Sequence, residues 1–202
     1  MNTALFYDTE TTGLPLFKEP SEHPHQPHIV QLAAILVDMD TRNSIASMDV
    51  IIRPTGFVIP DNVAAIHGIT TEHAMDVGIP ETMAVEMLME LWQGRQRIGH
   101  NQNFDARILR IALKRFFSGE AADRWKEGIS GCTAIRATPI CALPPTEKMK
   151  AAKRFHHKTP NLGEAYRYFH GKDFENAHSA MADVLACRDV WFAIDDMEKA
   201  AE

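Results

Sequence analysis

A short apolar run, Ala4-Leu5-Phe6-Tyr7, passes directly into Asp8-Thr9-Glu10-Thr11-Thr12-Gly13. The run reads as a buried strand, roughly Thr3 to Asp8. Side chains alternate between the two faces of a strand, so Asp8 and Glu10 point the same way. Two like charges held that close repel, and a bare pair tends to keep a proton. A divalent cation removes the conflict, because hard cations prefer carboxylate oxygen. Taken alone, Asp-x-Glu reads more simply as a polar turn after an edge strand. The rest of the chain overturns that reading.

The 202 residues suit one domain, 1–202, with a sizeable core. No run of about 20 apolar residues occurs, which excludes a membrane-spanning helix. The longest apolar stretch, Ile29 to Val37, is broken by Gln31. The N-terminus has neither a basic region nor a long apolar segment, so no secretory signal is expected. Cys132, Cys141 and Cys187 are odd in number and far apart, with no Cys-x-x-Cys. A zinc site of cysteine pairs is therefore excluded, and reduced thiols in a cytoplasm are the simplest expectation. The net charge of −6 argues against a protein that coats nucleic acid. It leaves room for an enzyme that grips one strand end locally.

Hydrophobic periodicity places strands at Ile29 to Asp38 and Ile45 to Arg53, joined by a turn near Asp40 to Ser44. Together with the first strand they form a meander. Helical pieces follow from Pro60 to Ile66 and from Thr70, with Glu72 and Glu81 as early-turn acids. Pro80 to Trp92 reads as a helix with Met83, Met87, Leu88 and Leu91 on one side. Arg95 to Gly99 is a short strand, and Phe104 to Phe117 an amphipathic helix. Cys132 to Ile135 is a brief strand or turn. Asn161 to Phe169 and Ser179 to Lys199 are helices, the last with Ala180, Val184, Cys187, Trp191 and Ile194 as its buried stripe. The expected fold is α/β: a mixed sheet with helices on both faces.

Two further segments carry chemistry. His100-Asn101-Gln102-Asn103-Phe104-Asp105 lies where a strand ends and a helix begins, and Asp105 falls in the first helical turn. His178-Ser179-Ala180-Met181-Ala182-Asp183 enters the last helix, with His178 on the loop and Asp183 one turn inside. Ala182 and Val184 suggest a helix packed closely on the sheet, and a carboxylate on its inner side needs a partner.

Four carboxylates and one histidine thus occur in the order Asp8, Glu10, Asp105, His178, Asp183. This order resembles the DnaQ-like 3′–5′ exonucleases of the DEDD superfamily, in their His-containing branch. Ile66-His67-Gly68-Ile69 is similar to a further segment of that family. The resemblance covers about residues 3 to 195. It implies a ribonuclease H-like sheet, three antiparallel strands plus parallel ones, and two divalent ions, Mg²⁺ or Mn²⁺. Two such ions activate water at neutral pH and hold charge on the leaving oxygen. By resemblance, Asp8 bridges the ions, Glu10 and Asp183 complete the first, and Asp105 serves the second. His178 takes the proton from the attacking water, and an imidazole with a pKa of about 6.5 suits that task. The family sets the last base of the strand against positions matched here by Thr11, Thr12, Leu14, Ile66 and His67. Backbone N–H groups from Thr9 to Gly13 are expected at the terminal sugar and phosphate, and Asn101 at a phosphate or sugar. For Leu14 the rival reading is core packing.

Two segments depart from the family's pattern. Leu16 to His28 carries His23, His25 and His28; a solvated loop is favoured over a weak metal site, because no fourth ligand closes it. Pro144 to Pro160 carries Lys148, Lys150, Lys153, Arg154 and Lys158 against Glu147 alone. It is either a grip for phosphates upstream of the cleaved end or a charged surface loop. The expected substrate is single-stranded DNA with a 3′ end, cut by an enzyme acting alone or as a proofreading partner of a DNA polymerase. The alternatives are an exoribonuclease of the same chemistry and a non-catalytic nucleic-acid-binding or polymerase-docking module.

Overall fold

A computed structural model describes residues 2–201. Its sheet contains β1 (Thr3–Thr11), β2 (Ile29–Asp38), β3 (Ser44–Ile51), β4 (Gln96–Gly99) and β5 (Ser130–Cys132). The strand order is β3-β2-β1-β4-β5. β1, β2 and β3 pair antiparallel, whereas β4 runs parallel to β1 and β5 parallel to β4. The expected meander and mixed sheet are both present. The first strand runs on through the Asp-x-Glu pair to Thr11, because Glu10 and Thr11 still find partners in Gln31 and Ile29.

β1 and β2 lie at the centre and are covered on both faces, so they read as continuous apolar runs rather than alternating ones. On one face Leu5, Tyr7, Leu32 and Ala34 pack against α3 (Glu81–Trp92), α4 (Asn103–Phe116) and α5 (Gly119–Glu127). Trp125 is fully buried there, edge-on to Tyr7 and to Trp92. Its indole N–H donates to the Ala106 carbonyl at 3.0 Å. On the other face Ala4, Phe6, Ala33 and Ile98 meet α9 (Ala180–Ala200) through Ala180, Val184, Cys187 and Trp191. Alanines at Ala33 and Ala180 let the helix start close to the sheet. α6 (Thr133–Cys141) and α8 (Leu162–His170) pack on the outer side of α9. α1 (Asp61–His67) and α2 (Thr71–Val77) form a small satellite against Val30, and α7 (Glu147–Ala151) stands in the basic segment.

Three details differ from the periodicity reading. α3 buries Glu81, Ala84, Val85, Leu88 and Trp92, and turns Met83 and Met87 to solvent. The helix is apolar on several sides; the side that meets the core carries Ala84, Val85, Leu88 and Trp92, with Glu81 at its start accepting from Ile29 N on β2. α5, α6 and α7 were not expected. α5 and α7 are short and polar, although Ser118 and Thr146 cap them by accepting from Ala121 N and Met149 N. α6 contains Pro139, a helix breaker in isolation. Residues Cys132 to Ile135 accordingly divide between the end of β5 and the start of α6.

The loop after β1 is built rather than solvated at random. The Gln26 side chain accepts from Leu16 N and donates to the carbonyls of Leu16 and Pro20. His28 bonds Glu81 at 2.7 Å and stacks on Phe57 at 3.9 Å, so it is not free to join His23 and His25 around an ion.

Replacing Trp125 with alanine empties the space behind Tyr7. We expect a loss of about 3–5 kcal/mol in urea unfolding; a loss below about 1 kcal/mol would show that the aromatic cluster does not hold this face together.

Candidate active site

β1 and β4 are parallel, with Phe6 opposite Ile98. Their carboxyl ends, and the residues that follow, therefore emerge at the same end of the sheet. Asp8 and Glu10 share the face that carries Ala4 and Phe6, the face covered by α9. α9 begins beside them and delivers Asp183 one turn in. Asp105 enters from the first turn of α4 on the opposite side.

Each carboxylate is held by a separate device. β4 stops at Gly99, which leaves the next stretch of the β1 edge without a strand partner. Asp105 fills that vacancy: its Oδ1 accepts from Thr9 N at 3.0 Å and from Thr9 Oγ1 at 2.7 Å, with only 3% of the residue exposed. Gln31 lies opposite Glu10 in the sheet and is buried. Its Oε1 accepts from Ala180 N at 3.1 Å, and its Nε2 donates to Asp49 at 2.7 Å. It thereby pins the first turn of α9 to β2 and sets the height of Asp183. Gln31 is a positioning residue that the sequence reading did not assign, though it was visible as the polar break in an apolar strand.

Glu10, His178 and Asp183 offer ligand atoms that all lie within 4.8 Å of one another. His178 is exposed on the entering loop, with a left-handed backbone at φ 69°. Asp8 is close enough to Asp105, Asp183 and Glu10 to feel their charges. Burial raises its pKa well above the usual carboxylate range, and the charges of Asp105, Asp183 and Glu10 raise it further. Burial and then Asp183 and Asp105 push Glu10 up to about 8. Burial lifts Asp105 to about 7, against the two hydrogen bonds from Thr9 that lower it. Burial lifts Asp183 to about 6, with His178 opposing.

Among the described residues no Lys or Arg forms a salt bridge with any of these four acids. Asp183 Oδ1 is buried and has no hydrogen-bond partner. Uncompensated, desolvated carboxylates with an orphaned oxygen fit hard divalent cations and little else.

The remaining predicted positions differ in how their polar groups are used and how far they are exposed. Thr9 is buried, and its amide and hydroxyl are both spent on Asp105. Thr11 Oγ1 donates to the Gly13 carbonyl at 2.8 Å. Thr12 N donates to His28 O, and Thr12 Oγ1 accepts from His28 N, each at 3.0 Å. These threonines therefore shape the turn after β1, and Gly13 continues it at φ 156°. Leu14 is 76% exposed and Ile66 56% exposed, which excludes core packing for Leu14. His67 accepts from Ile69 N at Nδ1, at 3.1 Å. Its Nε2 is buried without a partner, and burial lowers its pKa. Gly68 ends α1 at φ 76°, a left-handed cap that releases the chain just after His67. Asn101 is exposed with φ 61°, between β4 and α4.

The sheet order, the carboxylate-lined end and the helices on both faces define a ribonuclease H-like α/β fold of the nuclease type. The chain belongs to the RNase_T family, described as Exonuclease, whose model matches residues 5–190. No curated protein matches the sequence. Among solved structures, the zinc-bound complex of E. coli exonuclease I with single-stranded DNA is 20% identical with a TM-score of 0.72, covering 98% of this chain and 41% of that one. E. coli exonuclease I with a dT13 oligonucleotide is 23% identical with a TM-score of 0.70, covering 96% and 40%. The complex with a dA16 oligonucleotide is 22% identical with a TM-score of 0.71, covering 97% and 41%. The likeness establishes the fold, and this chain spans about two-fifths of the length of those proteins.

Two predictions follow from the geometry. Gln31→Leu leaves the buried Ala180 N–H unpaired; it should cost about 1–3 kcal/mol in urea unfolding and weaken Mn²⁺ binding measured by titration calorimetry. Unaltered Mn²⁺ affinity would remove Gln31 from the positioning role. The second concerns pH. Acids whose pKa is raised by folding bind protons more tightly folded than unfolded, so the metal-free fold loses stability as pH rises from near 4.5 to about 8 for Glu10. In EDTA the Tm should fall between about pH 5 and about pH 8, and Mg²⁺ or Mn²⁺ should raise it most at the upper end. A metal-free Tm that stays level across that range would contradict the crowding of these acids.

Proposed function

We propose that this protein is a metal-dependent 3′–5′ exonuclease that hydrolyses the last phosphodiester of single-stranded DNA and releases nucleoside 5′-monophosphates. The convergence of Asp8, Glu10, Asp105 and Asp183 on one uncompensated cleft, with His178 beside Glu10 and Asp183, carries the proposal. Asp8, Glu10, Asp105 and Asp183 would hold two divalent ions, Mg²⁺ or Mn²⁺. When bound, such ions supply positive charge at the phosphate and make water a nucleophile at neutral pH. The chain's own residues do the rest. His178 accepts the proton of the attacking water at its imidazole and passes it to solvent, an exchange its exposed position permits. The phosphorus–oxygen bond to the upstream 3′-oxygen breaks, and that oxygen takes a proton from solvent as it leaves. Thr9 keeps Asp105 in place, and Gln31 does the same for α9 and Asp183. Leu14 and Ile66 offer exposed apolar surface to the terminal base, His67 an unpartnered Nε2, and Asn101 an exposed amide to sugar or phosphate.

DNA is preferred as substrate because the similar exonuclease I structures were solved with dT13 and dA16. An exoribonuclease is the second reading, favoured by the name of the family, RNase_T. A role beside a DNA polymerase, as a proofreading partner, belongs to the same proposal.

End-labelled DNA and RNA oligonucleotides of matched sequence, incubated with Mg²⁺, Mn²⁺ or EDTA, test the reading directly. Shortening from the 3′ end in metal and none in EDTA is the expected result; nucleotide release that persists in EDTA would refute it. His178→Ala should lower kcat by about 10²–10⁴-fold and leave Mn²⁺ affinity within a few fold. Full turnover at neutral pH would end the proton-acceptor role.

A further inference from the structure

The basic segment between α6 and α8 is a knob fastened to the site. Lys158 N donates to Leu143 O at 2.9 Å and closes its neck. The Lys158 ammonium bonds Glu164, which is also the capping-box acid of α8. Just beyond the neck, the carbonyl of Pro160 lies 3.1 Å from His100 Nε2. A carbonyl only accepts, so Nε2 carries the proton and Nδ1 accepts from the Thr133 hydroxyl at 2.9 Å. Burial drives the His100 pKa down to about 4, so this neutral clamp holds throughout the working pH range. His100 directly follows β4, the strand parallel to β1, and precedes Asn101. The neck is thereby joined to the end of the sheet that carries Asp8 and Asp105.

The tip is α7 and a turn held by its own backbone. Arg154 N donates to Met149 O and Lys153 N to Lys150 O. Every residue from 151 to 157 is exposed. Lys150 pairs with Glu147, whereas Lys148, Lys153 and Arg154 form no salt bridge among the described residues. Between these cations and the exposed His156 and His157 stands Phe155, 72% exposed. A bulky aromatic ring thus stands open to water on a hydrogen-bonded, positively charged turn. Stacking platforms for single-stranded nucleic acid combine these same elements, an aromatic face with cations that track phosphates.

We infer that Phe155, with Lys148, Lys153 and Arg154, forms a second nucleic-acid contact, which stacks a base of the same strand a few nucleotides upstream of the cleaved end. Phe155 lies five positions before Pro160, at most about 18 Å of chain, so the contact is within reach of a strand whose 3′ end occupies the cleft. The inference deepens the exonuclease proposal and rests on it for the direction of the strand. A protein partner is the competing occupant. Phosphate-binding cations around the ring and the clamp to His100 favour the strand.

The test compares binding of fluorescent dT oligonucleotides of about 12 and about 3 nucleotides by anisotropy in EDTA, which blocks turnover. Phe155→Ala should reduce the ratio of long- to short-strand affinity roughly 10-fold, and Phe155→Trp should restore it. Joint replacement of Lys148, Lys153 and Arg154 by alanine should flatten the slope of log affinity against log salt by about 2 for the long strand. Melting curves confirm that the variants are folded. Affinity ratios and salt slopes equal to those of the unaltered protein overturn the inference, whether the knob then binds a protein or nothing. Hydrolysis of the short strand by the unaltered protein is scored separately. Its absence would count against the exonuclease proposal, and unchanged ratios alone would not.

Discussion

Repulsion among four desolvated carboxylates is the constraint around which the rest of the molecule is organised. Asp8, Glu10, Asp105 and Asp183 would separate if they were free to move. They are kept together by backbone that has other reasons to be where it is. β1 is the central strand and is buried on both faces, so Asp8 and Glu10 cannot turn away without breaking its pairing with β2. Asp105 substitutes for a missing strand along the β1 edge. Asp183 rides on a 21-residue helix that is buried against its neighbours as far as Ile194. Folding energy drawn from two hydrophobic faces thus offsets electrostatic strain at one end of the sheet.

Much of this was legible in the sequence. The continuous apolar runs of β1 and β2 and the 3.6-residue periodicity of α4 and α9 carry their own signatures. The acids stand out because each interrupts an apolar pattern at the end of an element. What was hidden depends on partners far away in the chain. Glu81 looks like an ordinary first-turn acid; its buried bonds to Ile29 N and His28, more than 50 residues away, are a property of the fold. The buried face of α3 is hidden for a related reason: apolar residues are spread around that helix, and packing on the sheet selects Ala84, Val85, Leu88 and Trp92 over the methionines. α5, α6 and α7 are too short for periodicity to register, and Pro139 points against α6 outright.

Gln31 shows how a local anomaly acquires meaning. In one dimension it merely breaks an apolar run. In the sheet it stands opposite Glu10 and holds the amide of Ala180. Thr9 is a parallel case. Resemblance placed it beside the substrate, and the structure spends its amide and hydroxyl on Asp105. Both residues act on the carboxylates at one remove, as supports for acids borne by other elements.

Leu14 and Ile66 are apolar side chains that the core does not need. Both side chains lie open to solvent, one on a turn braced by threonines and the other on a seven-residue helix with no buried member of its own. Exchanges at such positions cost the fold little. Under the proposed function, in which these two side chains meet the terminal base, preference for one nucleotide over another can drift across generations while the acids stay fixed.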